Sequence, residues 1–165
     1  MQDVIDLVLA TQEDAVLVHK LQIEAFMPLY EKYHDDETSP AKETLETVTR
    51  KITEPNSEFY IICLKGGVVG GIRIRHHQDK LISNNINWIS PIYIIPSFQN
   101  RGIAQKVIQR IFELYPDTIT WKLATIKQET RNCHLYEKCG FVKVGTEYVV
   151  NEQMTLINYE FKRGV

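Results

Sequence analysis

A strand that stops at a proline and restarts as a helix on Arg-Gly constrains this chain more than any other stretch. From Trp88 to Phe112 the sequence reads Trp-Ile-Ser-Pro-Ile-Tyr-Ile-Ile-Pro-Ser-Phe-Gln-Asn-Arg-Gly-Ile-Ala-Gln-Lys-Val-Ile-Gln-Arg-Ile-Phe. The apolar run ends at Pro96, a polar turn follows, and the spacing predicts a helix opening at Arg101 or Gly102. Ile103, Val107, Ile111 and Leu114 form one stripe and Ala104, Ile108 and Phe112 an adjacent one, while Gln105, Lys106, Gln109, Arg110 and Glu113 share the opposite face. One side of that helix is therefore expected to be buried. Its first backbone N–H groups have no intrahelical acceptor, and Gly102 has no side chain to block approach. With roughly half a positive charge from the helix dipole and a full charge from Arg101, a diphosphate is a natural ligand there. A plain strand-to-helix turn, with glycine for packing, accounts for Gly102 taken alone.

The composition excludes several classes. A chain of 165 residues is most simply one domain, here residues 1–165, long enough to bury a proper core. A formal charge of -2 offers no broad basic surface, so nucleic acid is not an expected partner. No apolar run approaches the roughly 20 residues needed to span a bilayer, and the start Met-Gln-Asp-Val-Ile-Asp lacks the basic residues of a signal peptide. No membrane partner and a cytoplasmic location are expected. Cys63, Cys133 and Cys139 show no Cys-x-x-Cys pair and the histidines no metal spacing, so reduced thiols and no metal are expected. Cys63 reads as core, and packing is the simpler account of Cys139 beside Gly140.

Along the chain, Val4 to Leu9 reads as a strand, and Thr11 as the cap of a helix from near Glu13 that Pro28 interrupts. His34 to Pro40 reads as a mobile loop, followed by a helix carrying Leu45, Val48 and Ile52. Two strands, Phe59 to Leu64 and Val68 to Arg75, flank the Lys65-Gly66-Gly67 turn. Gly70 and Gly71 suggest a bulge or a close backbone approach. After a polar connection, Ile86 to Ile95 is the central strand, in which Pro91 requires a bulge or a one-sided opening of the sheet. Thr118 to Ile126 is a strand, Glu129 or Thr130 opens a helix that stops at Gly140, and Phe141 to Val150 and Met154 to Arg163 form a terminal antiparallel hairpin. That hairpin is also available to pair across a homodimer.

Two motifs carry a family resemblance. Gln99-Asn100-Arg101-Gly102-Ile103-Ala104 fits Gln/Arg-x-x-Gly-x-Gly/Ala, the acyl-CoA pyrophosphate loop of the GNAT superfamily of N-acetyltransferases, and Ile94-Ile95-Pro96 resembles its Val-x-Pro strand end. About 35 residues on, Leu135-Tyr136-Glu137-Lys138-Cys139-Gly140-Phe141 resembles the second signature, Leu-Tyr-Glu-Lys-x-Gly-Phe. A Walker loop is excluded because no Gly-Lys-Ser/Thr follows, and a dinucleotide fingerprint because its second glycine is missing. The order of elements is similar to the GNAT fold along nearly the whole chain: an α/β (α+β) architecture with a mixed, mostly antiparallel central sheet, splayed in the middle and flanked by about four helices. The resemblance places the splay between the strand ending at Ile95 and the one beginning at Thr118, with the pantetheine arm of acetyl-CoA in the gap.

What the resemblance implies chemically is direct transfer of an acetyl group from acetyl-CoA, the cosubstrate, to a primary amine of a small molecule or peptide. Gln99, Asn100, Arg101, Gly102, Ile103 and Ala104 would hold the diphosphate, and the backbone of Ile92 and Ile94 the pantetheine, with an oxyanion-binding N–H around Ile94. Tyr136 matches the tyrosine that gives a proton to the departing sulfur. The family's asparagine falls seven residues before that tyrosine, where this chain has Glu129, whereas Asn132 lies four before it on the same helix face. Asn132 is therefore a cofactor-contact candidate and a surface asparagine alike, and Glu129 reads as a helix cap.

No general base is visible, since residues 80–112 contain no carboxylate; Glu24, His76 and His77 are the candidates elsewhere. The acidic cluster Glu31, Asp35, Asp36 and Glu37 could steer a cationic amine such as a polyamine or aminoglycoside, or be solvated surface. Two other readings stay open: a non-catalytic acyl-CoA-binding sensor or interaction module, and a nucleotide-binding protein using the same helix start.

Overall fold

The computed structural model describes residues 4–77 and 85–164, so the connection around Asp79 lies outside the described residues. The elements are β1 (Ile5–Leu9), α1 (Ala15–Tyr33), α2 (Leu45–Thr53), β2 (Ser57–Leu64), β3 (Gly67–His76), β4 (Ile86–Ile94), α3 (Ile103–Leu114), β5 (Thr120–Ile126), α4 (Thr130–Lys138), β6 (Val142–Asn151) and β7 (Met154–Lys162). The strands form one seven-stranded sheet in the order β1-β2-β3-β4-β5-β7-β6. Only the β4–β5 pair is parallel. The mixed, mostly antiparallel sheet read from the sequence is therefore the observed one.

Alternation along the strands builds two cores. On one face Val18, Leu21 and Ala25 of α1 and Val48 and Ile52 of α2 pack on Phe59, Ile61, Tyr93 and Ile95. On the other, Ile103, Val107, Ile108 and Ile111 of α3, with Tyr136 of α4, pack on Ile72, Ile74, Trp121 and Leu123. The stripe expected on α3 is the buried one, although Leu114 at its end is exposed.

Two expectations fail in the N-terminal third. Pro28 does not interrupt the first helix, because α1 runs unbroken through it. Pro28 is exposed, so the carbonyl one turn earlier that loses its N–H donor faces water, while Val18, Leu21 and Ala25 hold the helix to the sheet. The segment from His34 to Pro40 is not a loose loop: His34 closes α1 in the left-handed conformation (φ 52°), and the Asp35 carbonyl accepts bonds from Thr38 N at 3.2 Å and Ser39 N at 2.9 Å. Asp35 and Ser39 are buried, and Pro40–Lys42 forms a short 3-10 turn, so the helix read after Pro40 begins only at Leu45.

Around the central strand the structure resolves the misfit of Pro91. Ile72 faces Ile92 and Ile74 faces Ile89, so β4 carries an extra residue, a bulge at Ser90 and Pro91 opposite Arg73. Gly70, one of the two strand glycines, is a close-approach site: a Cβ there would lie 2.1 Å from the Tyr93 carbonyl oxygen. Arg73 points to the α1 face and is 5% exposed, donating from one guanidinium nitrogen to the Ser90 carbonyl at 3.2 Å and from the other to Glu54. Burial pulls its pKa down, and Glu54 opposes that shift.

This pair fixes the bulge to α2. Replacing Arg73 by Met breaks the buried pair, leaves the Glu54 carboxylate only an exposed arginine as partner, and is expected to lower the unfolding free energy in urea by about 3 kcal/mol. Arg50 also pairs with Glu54, at 3.1 Å, but its side chain is 61% exposed, so Arg50→Ala is expected to cost less than about 1 kcal/mol in the same experiment.

Candidate active site

β4 and β5 pair only at Ile86–Thr120, Asn87–Trp121 and Trp88–Lys122. Beyond Trp88, β4 continues to Ile94 against β3 alone, and β5 continues to Ile126 against β7 alone. The sheet therefore forks. A cavity of about 330 Å³ occupies the fork and reaches both faces of the sheet. From the α1 side come Phe26, Leu29, Asp35, Ser39, Arg75 and Trp88; from the α4 side come Asn132 and Tyr136.

The strand edge facing the fork has free polar groups. Ile95 N donates to Val69 O on β3 at 2.9 Å, so alternation turns the N–H groups of Ile92 and Ile94 away from β3, toward the side where β5 has departed. The Ile94 carbonyl accepts from Gln99 Nε2 at 2.8 Å, so the Gln99 side chain ties the turn back to the strand.

At the helix start, Gly102 occupies the cap position in the left-handed region (φ 77°), and Asn100 is also left-handed (φ 66°). Lys106 N makes the first helical bond, to Gly102 O at 3.3 Å, leaving the N–H groups of Ile103, Ala104 and Gln105 without an intrahelical acceptor. A Cβ on Gly102 would meet no protein atom within 4 Å, so the space before these donors is open. The Arg101 guanidinium is exposed beside it, bonded to Ser97 O at 3.3 Å and lying over the Phe98 ring at 5.1 Å. The loop is thus a set of outward-facing main-chain donors with a cation at its rim.

α4 brings Asn132 and Tyr136 to the cavity on one face, as their four-residue spacing predicts. The helix closes on Gly140 (φ 97°), with Gly140 N to Glu137 O and Phe141 N to Tyr136 O both at 3.0 Å, which anchors the turn carrying Tyr136. Tyr136 is 7% exposed, packs edge-on against Phe141, and its hydroxyl makes no hydrogen bond among the described residues. Burial, with smaller contributions from the Cys139 and Cys133 thiols, pushes its pKa above the ordinary phenol value. The phenol holds its proton and finds no acceptor for it among the described residues.

Glu129 is the N-cap residue of α4, as read, and its carbonyl accepts from Asn132 N at 3.1 Å, but its side chain makes no cap bond. Its carboxylate accepts from Lys32 Nζ at 2.8 Å and from the Tyr33 hydroxyl, tying the start of α4 to the end of α1. Burial alone would raise its pKa, but Lys32 and Tyr33 together hold it below the usual carboxylate range.

None of the three base candidates lines the cavity. His76 is committed to Asn87 Oδ1 at 2.8 Å and to Glu58 at 2.6 Å, a network that continues through Tyr115, and Glu24 is exposed on α1. The acidic cluster also divides. Glu31, Asp36 and Glu37 are exposed, whereas Asp35 is the only carboxylate among the described residues lining the cavity. Sequence reading placed Asp35 in a charge run; the signal it lacked was the αL residue His34, which folds the next residue inward. Among the described residues no group of His, Cys, Asp and Glu is arranged to hold a metal ion, and no helix is long and apolar enough to cross a membrane.

A model of the acetyltransferase (GNAT) family matches residues 18–141. A search of curated proteins found no match. Among solved structures, an acetyltransferase from Thermus thermophilus superposes with a TM-score of 0.73 at 18% identity, covering 96% of each chain. The aminoglycoside enzyme AAC(6')-Ib, in complex with ribostamycin and coenzyme A, gives 0.72 at 20% identity over 98% of this chain and 94% of that one. A chimera of the spermidine N-acetyltransferase SpeG from Vibrio cholerae and hSSAT gives 0.74 at 16% identity over 96% and 95%. At these identities the superpositions establish a shared fold, while the family match spans both signature motifs and most of the sheet. The chain belongs to the acetyltransferase (GNAT) family.

Proposed function

We propose that this protein is an N-acetyltransferase that moves the acetyl group of acetyl-CoA directly to a primary amine, both substrates being held at once in the fork. The observation that carries the reading is Tyr136: a buried phenol, without a partner for its proton among the described residues, lining a cavity that opens to both faces of the sheet. A purely structural tyrosine of that burial is expected to have its hydroxyl bonded locally.

In this reading the open N–H groups of Ile103, Ala104 and Gln105, beside Arg101, receive the diphosphate, and Gln99 keeps the turn in place through Ile94. The fork-facing backbone of Ile92 and Ile94 pairs with the pantetheine arm as an added strand would, and one of those N–H groups faces the negative charge that develops on the acetyl oxygen. Asn132 lies one turn from Tyr136 on the same wall, toward the reacting end of the arm. The amine enters from the α1 side, attacks the acetyl carbon, and the carbon–sulfur bond breaks as Tyr136 gives its proton to the sulfur. The retained proton suits this role. A phenol raised above about 10 cannot ionise near neutrality, and its proton moves only as thiolate charge appears. Coenzyme A-bound structures of the same fold support acetyl-CoA as cosubstrate, and the setting proposed for the reaction is the cytoplasm.

Two measurements test the scheme. In a thiol-release assay with a panel of amines, Tyr136→Phe is expected to lower kcat about a hundredfold while acetyl-CoA binding by titration is unchanged. The ratio of wild-type to variant rates is expected to stay level up to about pH 9.5, because the raised phenol keeps its proton there. Saturable acetyl-CoA binding without amine-dependent thiol release would favour a sensor. Gly102→Val places a side chain in the space before the α3 donors and is expected to weaken acetyl-CoA binding at least about tenfold, while leaving acetyl-pantetheine, which lacks the diphosphate, little changed. Equal losses for both ligands would remove the diphosphate site from Gly102.

A further inference from the structure

The charges lining the α1 side of the cavity have no role in the transfer scheme. Arg75 on β3, Trp88 on β4 and Lys122 on β5 are register partners, so they form a row across three strands. That row lies on the α1 face, since the alternate residues Ile74 and Trp121 pack on the α3 side. The Arg75 guanidinium lies 5.3 Å from the Trp88 ring centre and Lys122 Nζ 5.6 Å from it, and no described carboxylate pairs with either cation. Across the cavity stands Asp35, 6% exposed, its Oδ2 accepting from Thr38 Oγ1 at 2.8 Å and its Oδ1 without a described donor. Apolar side chains of Phe26, Leu29, Pro40 and Met154 fill the wall around it.

A polyamine or an aminoglycoside is poorly matched to this arrangement. Its first ammonium would find one carboxylate, and the next would meet Arg75, the one cation among the described residues that line the cavity. The outer acidic residues cannot relieve that repulsion, because Glu31, Asp36 and Glu37 are outside the lining and Asp36 already accepts from the Tyr30 hydroxyl at 2.5 Å. One carboxylate facing one guanidinium, with apolar surface around them, fits a ligand that carries both charges.

Building on the acetyltransferase reading, we infer that the acceptor is an amine bearing its own anionic group, of the amino-acid type, with Asp35 receiving the ammonium and Arg75 the carboxylate. Asp35 takes one proton from the ammonium and later passes it to solvent. The neutral nitrogen forms the bond to the acetyl carbon as the bond to sulfur breaks. The second proton lost by nitrogen balances the one Tyr136 delivers to the thiolate, so the products are the N-acetyl amino acid, the free thiol and one proton released to water.

The test is thiol release by the full-length protein with matched probes: L-phenylalanine against phenethylamine, L-leucine against isopentylamine, and spermidine and kanamycin as polycations. The amino acids are expected to exceed their decarboxylated partners in kcat/KM by at least about tenfold. Arg75→Met is expected to remove that advantage while changing the simple amines less than about twofold. Asp35→Asn should slow every amine near neutral pH and recover as pH rises toward the amine's own pKa, a recovery that a merely structural loss would not show. Asp35→Glu retains part of the rate, and acetyl-CoA titration of each variant checks that the fold survives. Faster turnover of spermidine or kanamycin, or an Arg75→Met variant that treats each matched pair as wild type does, overturns the inference and leaves the acetyltransferase reading standing. Thiol release with no amine at all overturns both.

Discussion

The parting of β4 from β5 after only three paired positions is the constraint on which the site depends. Two parallel strands in mid-sheet normally satisfy each other's backbone, so separating them exposes N–H and C=O groups that must find water or a ligand. The separation is built in at a definite place. The bulge at Ser90 and Pro91 turns β4 away, Arg73 grips the Ser90 carbonyl, and Glu54 on the far side holds Arg73. Proline has no N–H to offer a neighbouring strand, so closing the fork by further pairing is blocked at that point as well. The opening is therefore a property of the resting chain.

Because the fork runs through the sheet, the cavity is lined by residues of α1, β3, β4, β5, α4 and β7 together. Their relative placement is carried by a few cross-links. Glu129 joins the start of α4 to Lys32 and Tyr33 at the end of α1, and Asn151 Nδ2 donates to the Tyr33 carbonyl at 2.9 Å. Tyr33 and Asp35 stand two residues apart, so the link that positions α4, and with it Tyr136, also positions the turn that brings Asp35 inward. The proton-holding phenol and the cavity carboxylate are thus fixed through one corner of the structure.

Much of this was legible in the sequence because it is local. The stripe of Ile103, Val107 and Ile111 could bury only one helix face, the Lys65-Gly66 turn could only close a hairpin, and Pro91 could not sit in a regular central strand. The motif around Tyr136 was equally local, and its four-residue spacing from Asn132 placed both on one wall. What could not be read depended on contacts distant in sequence. Pro28 looked like a helix end because propensity weighs the lost hydrogen bond and not the packing of Val18, Leu21 and Ala25 that outweighs it. Glu129 was legible as the cap of α4, but the tie its carboxylate makes to α1 was not, because its partners lie 97 and 96 residues away.

Asp35 is the sharpest case, since nothing in the charge run marked one member as buried. The four carboxylates between Glu31 and Glu37 could be read as a field that steers a cationic amine or as solvated surface, in either case as one group. The left-handed residue His34 separates them, leaving three in solvent, where screening weakens them, and one inside, where the surrounding low dielectric strengthens it. In the inferred scheme selectivity rests on near neighbours: a buried carboxylate on one side, and on the other Arg75 over Trp88, with Lys122 on the far strand of the same row. In the sequence those cations are 47 residues apart, on strands that do not pair with each other and stand on either side of β4. In the proposed reading the backbone of the fork and Tyr136 handle the acyl group whatever the opposite wall presents, which leaves such residues free to vary within one fold.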